Sequence, residues 1–148
     1  MCCEELRKSL GGKSECYSNS TVAKENGKEF RLNLNANSTA CKVRIDGCVM
    51  DSQVLAKCDY LFKICPVNKY HLVELKGTDV DHAVHQIVST FNMTKMRLKE
   101  EPANFTGHII SSAIPRAAEQ KFRNLKDKAM KNNKLNIVKH SFKSEVFY

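Results

Sequence analysis

The sequence predicts a single α/β (α+β) domain, a mixed sheet flanked by helices. Three observations lead there. The chain has 148 residues, a length suited to one domain with one modest core. Hydrophobic residues make up 42% and charged residues 27%, which is the balance of a folded globular chain and not of a disordered one. Segments alternating at period two are interleaved with segments at the helical period, and no internal repeat is visible.

The elements follow in order. Residues 1–10 suit a short helix stopped by Gly11-Gly12, and residues 13–29 are polar and read as a loop. Phe30, Leu32 and Leu34 alternate with polar neighbours, giving a strand; Asn35 to Thr39 turns. Cys41 to Met50 is strand-like, with Asp46 before Gly47 read as a turn residue. Asp59–Cys65 and Tyr70–Lys76 are rich in aliphatic and aromatic residues and are joined by Pro66-Val67-Asn68-Lys69, so they form a β-hairpin. Thr78 is the expected N-cap of the next helix, with Asp79 and Asp81 in its first turn. Val80, Ala83, Val84, Ile87 and Phe91 supply its buried stripe. Residues 94–103 connect to a strand around His108-Ile109-Ile110. Pro115 opens a basic helix over about 116–131, and Lys134–His140 is a last strand.

The net charge is +8, and it is uneven. Nine basic and three acidic residues lie between Arg116 and Tyr148, against fifteen and thirteen in all that precedes. This basic C-terminal extension, residues 116–148, either attracts a polyanion such as nucleic acid or is a solvated lysine-rich face. No apolar run approaches the ~20 residues of a membrane span, so no membrane partner is expected. The first residues lack the apolar stretch of a signal peptide, which points to a cytoplasmic protein. Seven cysteines stand at 2, 3, 16, 41, 48, 58 and 65 without a Cys-x-x-Cys pair, and they are expected to be reduced core residues. The sequons at Asn19, Asn37, Asn92 and Asn104 then carry no meaning.

The hairpin carries the chemistry. Glu74 and Lys76 leave one face of their strand with Tyr70 and Leu72, while His71, Val73 and Leu75 leave the other. Asp59 opens the antiparallel partner near the same end, so two carboxylates and an ammonium converge. Like carboxylates repel, and a hard divalent cation, Mg2+ or Mn2+, resolves the conflict. Acid-x-Lys occurs twice, at Glu74-Leu-Lys76 and Glu119-Gln-Lys121, but the second lies in a helical pattern where i and i+2 diverge. The plainer reading makes Asp59 a turn cap and Glu74 with Lys76 a surface ion pair worth under ~1 kcal/mol. His82 and His85 suit exposed helix positions better than zinc ligands, and Cys58 with His85 has no nucleophile signature.

Cys58-Asp59, fourteen intervening residues, Glu74-Leu75-Lys76-Gly77 and a helix containing His85-Gln86 together resemble the PD-(D/E)XK nuclease superfamily. The resemblance covers residues 41–112. It implies a restriction-endonuclease-like α-β-β-β-α-β core, here with an extra C-terminal helix and strand. It also implies Asp59, Glu74 and the Leu75 carbonyl as metal ligands, Lys76 as the catalytic lysine, and Gln86 beside the active site. Glu4 or Glu5 would be the further acid that some members carry on the first helix. The function expected is metal-dependent hydrolysis of DNA by an activated water. Arg116, Lys121, Arg123, Lys126 and Lys128 would bind phosphates. With so little chain to spare, a homodimer or a partner subunit would help set specificity. The alternative is a catalytically inactive member of the fold that binds nucleic acid or protein.

Overall fold

The computed structural model describes residues 2–50, 56–75, 79–113 and 116–148. The observed class is α+β: among the described residues there are three α-helices and two mixed sheets. In chain order the elements are α1 (Cys2–Leu10), β1 (Tyr17–Ser18), β2 (Val22–Glu25), β3 (Lys28–Asn33), β4 (Thr39–Arg44), β5 (Tyr60–Cys65), β6 (Lys69–Glu74), α2 (Val80–Leu98), β7 (Phe105–Ser111), α3 (Arg116–Asn133), β8 (Asn136–Ser141) and β9 (Lys143–Phe147). The larger sheet runs β1-β4-β5-β6-β7-β8, antiparallel up to β6 and parallel across β6–β7 and β7–β8. The smaller sheet runs β2-β3-β9, with β3 and β9 parallel.

These elements make three layers, because the central strands β4 to β7 of the large sheet send alternate side chains to two apolar environments. Val43, Leu61, Leu72 and Ile109 join Leu6, Leu10, Val84, Ile87, Phe91 and Phe122 on the helix side. Phe62, Ile64, Val73, Leu75 and Ile110 face Ala23, Phe30 and Leu32 of the small sheet. Phe30 meets Phe62 at 5.2 Å and His108 at 4.8 Å between ring centroids. A fully buried side chain of this size contributes about 2–3 kcal/mol. Gly107 permits α2 to lie close on β7: a Cβ there would stand 2.6 Å from Ile87 Cγ2.

Several expectations need correction. The polar stretch 13–29 is not a loop throughout: it holds a 3-10 turn (Ser14–Cys16), β1 and most of the β2–β3 hairpin. Asn26-Gly27 makes that hairpin, both residues having positive φ, 49° and 77°. The strand from Cys41 ends at Arg44, and Ile45 to Val49 turn through Gly47 at φ 74°. Asp79 caps α2 by accepting from His82 N at 3.2 Å; Thr78, the expected cap, lies outside the described residues, as does Pro115. α2 also runs on to Leu98, through residues expected to be a connection. The C-terminal extension contributes a helix and two strands, not one.

The cysteine expectation is overturned. Cys2–Cys65, Cys3–Cys41 and Cys16–Cys48 are disulfides, and Cys58 alone is a buried free thiol. Two of these bonds clamp α1, a nine-residue helix too short to persist alone, to β5 and β4. The cytoplasmic expectation thereby loses its cysteine argument, since disulfides persist mainly in oxidising compartments. No helix among the described residues is long and apolar enough to cross a membrane.

Candidate functional site

Asp59 and Glu74 meet at one end of the large sheet. Asp59 immediately precedes β5, and its Oδ2 accepts a hydrogen bond from Leu75 N at 2.9 Å across the hairpin. Glu74 ends β6 and is 3% exposed. Its side chain leaves the helix face with Tyr70 and Leu72, as the alternation requires, and Leu75 turns to the small sheet. Glu74 Oε1 has no hydrogen-bond partner among the described residues. Burial, then the negative charge of Asp59 and the hydrogen bond shared with it, hold the Glu74 carboxyl well above the ordinary carboxylate range. Asp46 adds a smaller push in the same direction, although it is paired with Lys57 at 3.8 Å.

The segment leading into Asp59 is held by α2. Gln86 Nε2 donates to the Lys57 carbonyl at 3.0 Å, and Cys58 N donates to Thr90 Oγ1 at 2.9 Å. Gln86 Oε1 is buried without a partner among the described residues. Gln86 thus stands over the hairpin end, one side of its amide used and the other open. Cys58 is buried against this segment, and burial pushes its thiol up, which leaves it a neutral core group and no nucleophile.

Other sequence-derived candidates are not brought to this place. Lys76 lies outside the described residues. Glu4 and Glu5 are exposed in the first turn of α1. The Cys2–Cys65 bond anchors that turn where β5 finishes, whereas Asp59 stands where β5 begins. Of the basic residues on α3, Arg116, Arg123 and Lys128 are exposed. Lys121 is paired with Asp81 at the start of α2, and Lys126 donates to Asn136 Oδ1 and the Ile137 carbonyl. Because α3 crosses back between parallel β7 and β8, its N-terminal residues lie at the same end of the sheet as Glu74. Among the described residues, no three His, Cys, Asp or Glu side chains form a ready-made cation cluster.

No family model, curated protein or solved structure matches this chain.

A second polar cluster, invisible in the sequence, lies between the sheets. His71 Nδ1 and His108 Nε2 are 2.8 Å apart, and His71 Nε2 is 2.7 Å from the Tyr148 hydroxyl. The three residues are 37 and 77 positions apart in sequence, so no local pattern announces them. Burial, then the charge of Lys69, lowers His71 to about 4; burial, then His71 and His140, lowers His108 as well. Both rings are therefore neutral in the folded protein while the unfolded chain binds protons below about pH 6.5. Stability is fully present above that pH and is lost as pH falls through the folded values. Urea unfolding between pH 7 and 4.5 should show a falling midpoint. In His108→Phe the proton uptake on unfolding should drop by about one. An unchanged pH slope in that variant would remove the pair as its source.

Proposed function

We propose that this protein is a metal-dependent nuclease with a restriction-endonuclease-like core, hydrolysing phosphodiester bonds in DNA through an activated water. The order α1, then β4-β5-β6-α2-β7 after the inserted strands β1–β3, with β7 parallel to β6, supports the core that the motif resemblance implies. The observation that carries the reading is the buried Glu74 carboxyl beside Asp59 with one oxygen unpartnered among the described residues. A buried carboxyl set against a half-buried one is costly, and a divalent cation would relieve their repulsion and satisfy the open oxygen at once.

The donor set fits Mg2+ or Mn2+. Asp59 and Glu74 are hard oxygen ligands, with the Leu75 carbonyl and Lys76 completing the arrangement by resemblance. The cation supplies a more acidic bound water and charge stabilisation on the phosphate. The chain's own residues do the positioning. The Leu75 N–H orients the Asp59 carboxylate, and Gln86 and Thr90 hold the segment that delivers it. Arg116 and Arg123 offer exposed guanidinium groups for phosphates. Lys121 would have to leave Asp81, and Lys126 the β8 backbone, before either could contribute. A second copy or a partner subunit remains the source of specificity we favour. The three disulfides favour action in an oxidising compartment.

Supercoiled plasmid incubated with the purified chain should be nicked with Mn2+ or Mg2+ and left intact with EDTA. Asp59→Ala or Glu74→Ala should lower the rate by at least about a thousandfold, since each removes a ligand. Wild-type cleavage in either variant overturns the assignment. One observation favours a second reading, an inactive nuclease-fold module: the bond from Leu75 N gives Asp59 a structural task without any cation. That module would bind DNA in a salt-sensitive manner, with or without divalent metal.

A further inference from the structure

We infer that Ser111 is a positioning residue of this same site, holding a water that the bound cation carries; the inference rests on the nuclease reading above. Ser111 ends β7, is 0% exposed, and its hydroxyl has no hydrogen-bond partner among the described residues. β7 is the parallel neighbour of β6, and Glu74 stands opposite Ile109. Gly107 faces α2 and Ile109 belongs to the helix-side core, so the alternation sends Ser111 to that face too, one rung beyond Glu74.

Five buried side-chain atoms lack partners among the described residues. Two of them, on His108 and Asn33, belong to other parts of the fold: His108 meets Phe30 between the sheets, and Asn33 is on β3. The other three are oxygens of Glu74, Gln86 and Ser111. They stand on β6, α2 and β7, and the strands bring Glu74 and Ser111 to the same end of the same face. Each can accept a hydrogen bond, and an unpartnered buried acceptor costs free energy that proteins rarely leave unrecovered. A protein donor would have satisfied one of them; a hydrated cation brings several O–H donors together. Mg2+ in particular keeps waters beside its carboxylate ligands. The Ser111 backbone is fixed for the task, because it lies in the ladder opposite Ser141 and its carbonyl accepts from Phe142 N at 2.9 Å.

The test is calorimetric titration of the metal-free full chain with MnCl2, using wild type, Glu74→Gln, Ser111→Ala and Ser111→Thr. Loss of an outer-shell partner typically weakens binding by 10–100-fold. Ser111→Ala should therefore raise the Mn2+ dissociation constant about tenfold, while Ser111→Thr, which keeps the hydroxyl, stays within about threefold of wild type. Thermal unfolding in EDTA should leave Ser111→Ala at least as stable as wild type, separating a site effect from a packing effect. Wild-type affinity in Ser111→Ala, with binding abolished in Glu74→Gln, overturns the Ser111 assignment and leaves the metal site standing. Absence of Mn2+ binding in the wild type overturns both.

Discussion

Reduction of the disulfides is expected to lower the melting temperature by more than about 10 °C. Cys2–Cys65, Cys3–Cys41 and Cys16–Cys48 close spans of 63, 38 and 32 residues. In the chain-entropy account each such span is worth about 3–4 kcal/mol, and the spans overlap, so their sum is smaller than three separate terms. Even one such contribution is a large share of the roughly 5–15 kcal/mol that holds a domain of this size folded. For about 150 residues each kcal/mol moves the midpoint by about 2–4 °C. The loss should begin at α1, whose Leu6 and Leu10 rest on the core through the two clamps at Cys2 and Cys3. Melting curves with and without reductant read the size of the effect, and peptide mapping under non-reducing conditions reads the pairing. Seven thiols alkylated in the denatured, unreduced protein, with unchanged melting in reductant, would show that these crosslinks do not form.

Glu74→Gln is expected to stabilise the metal-free protein at pH 8, by about 5 °C, and to remove its response to Mn2+. The folded Glu74 carboxyl is held above its unfolded value by burial and by Asp59. A group raised in this way contributes stability that is fully present below the unfolded value near 4.5 and is lost as pH rises through the folded one. Glutamine has the same shape and no proton to lose, so it avoids a cost of about 2 kcal/mol at pH 8. At pH 4 the two proteins should melt together. Mn2+ should raise the melting temperature of the wild type, since a ligand bound only to the native state stabilises it by mass action. It should leave Glu74→Gln unmoved. A variant that melts below wild type at both pH values would show that Glu74 is needed ionised by the fold itself.

The hairpin and α2 were legible because their signals are local. Alternation over residues 59–76 separates Tyr70, Leu72 and Glu74 from His71, Val73 and Leu75, and the two core clusters divide the described residues in the same way. The small sheet was not legible. β3 pairs in parallel with β9, more than a hundred residues later, and β9 alternates too weakly to be recognised alone. The Asn26-Gly27 turn was a readable signal, masked by the lysines and glutamates around it. The disulfides were missed for a related reason: the bonded cysteines are far apart in sequence, and spacing rules catch only near neighbours. At the site, Asp59 and Glu74 could be found from hairpin register, whereas Ser111 becomes visible only once β7 is laid beside β6.

The pairing of β3 with β9 also orders events during synthesis. Phe30 and Leu32 emerge early, but Val146 and Tyr148, which pack against their cluster, emerge more than a hundred residues later. Until then the inner face of the large sheet has an incomplete cover, and apolar side chains such as Phe62 and Ile110 are open to wrong partners. The slowest and most error-prone step in folding this domain should therefore be the closing of that seam by β9.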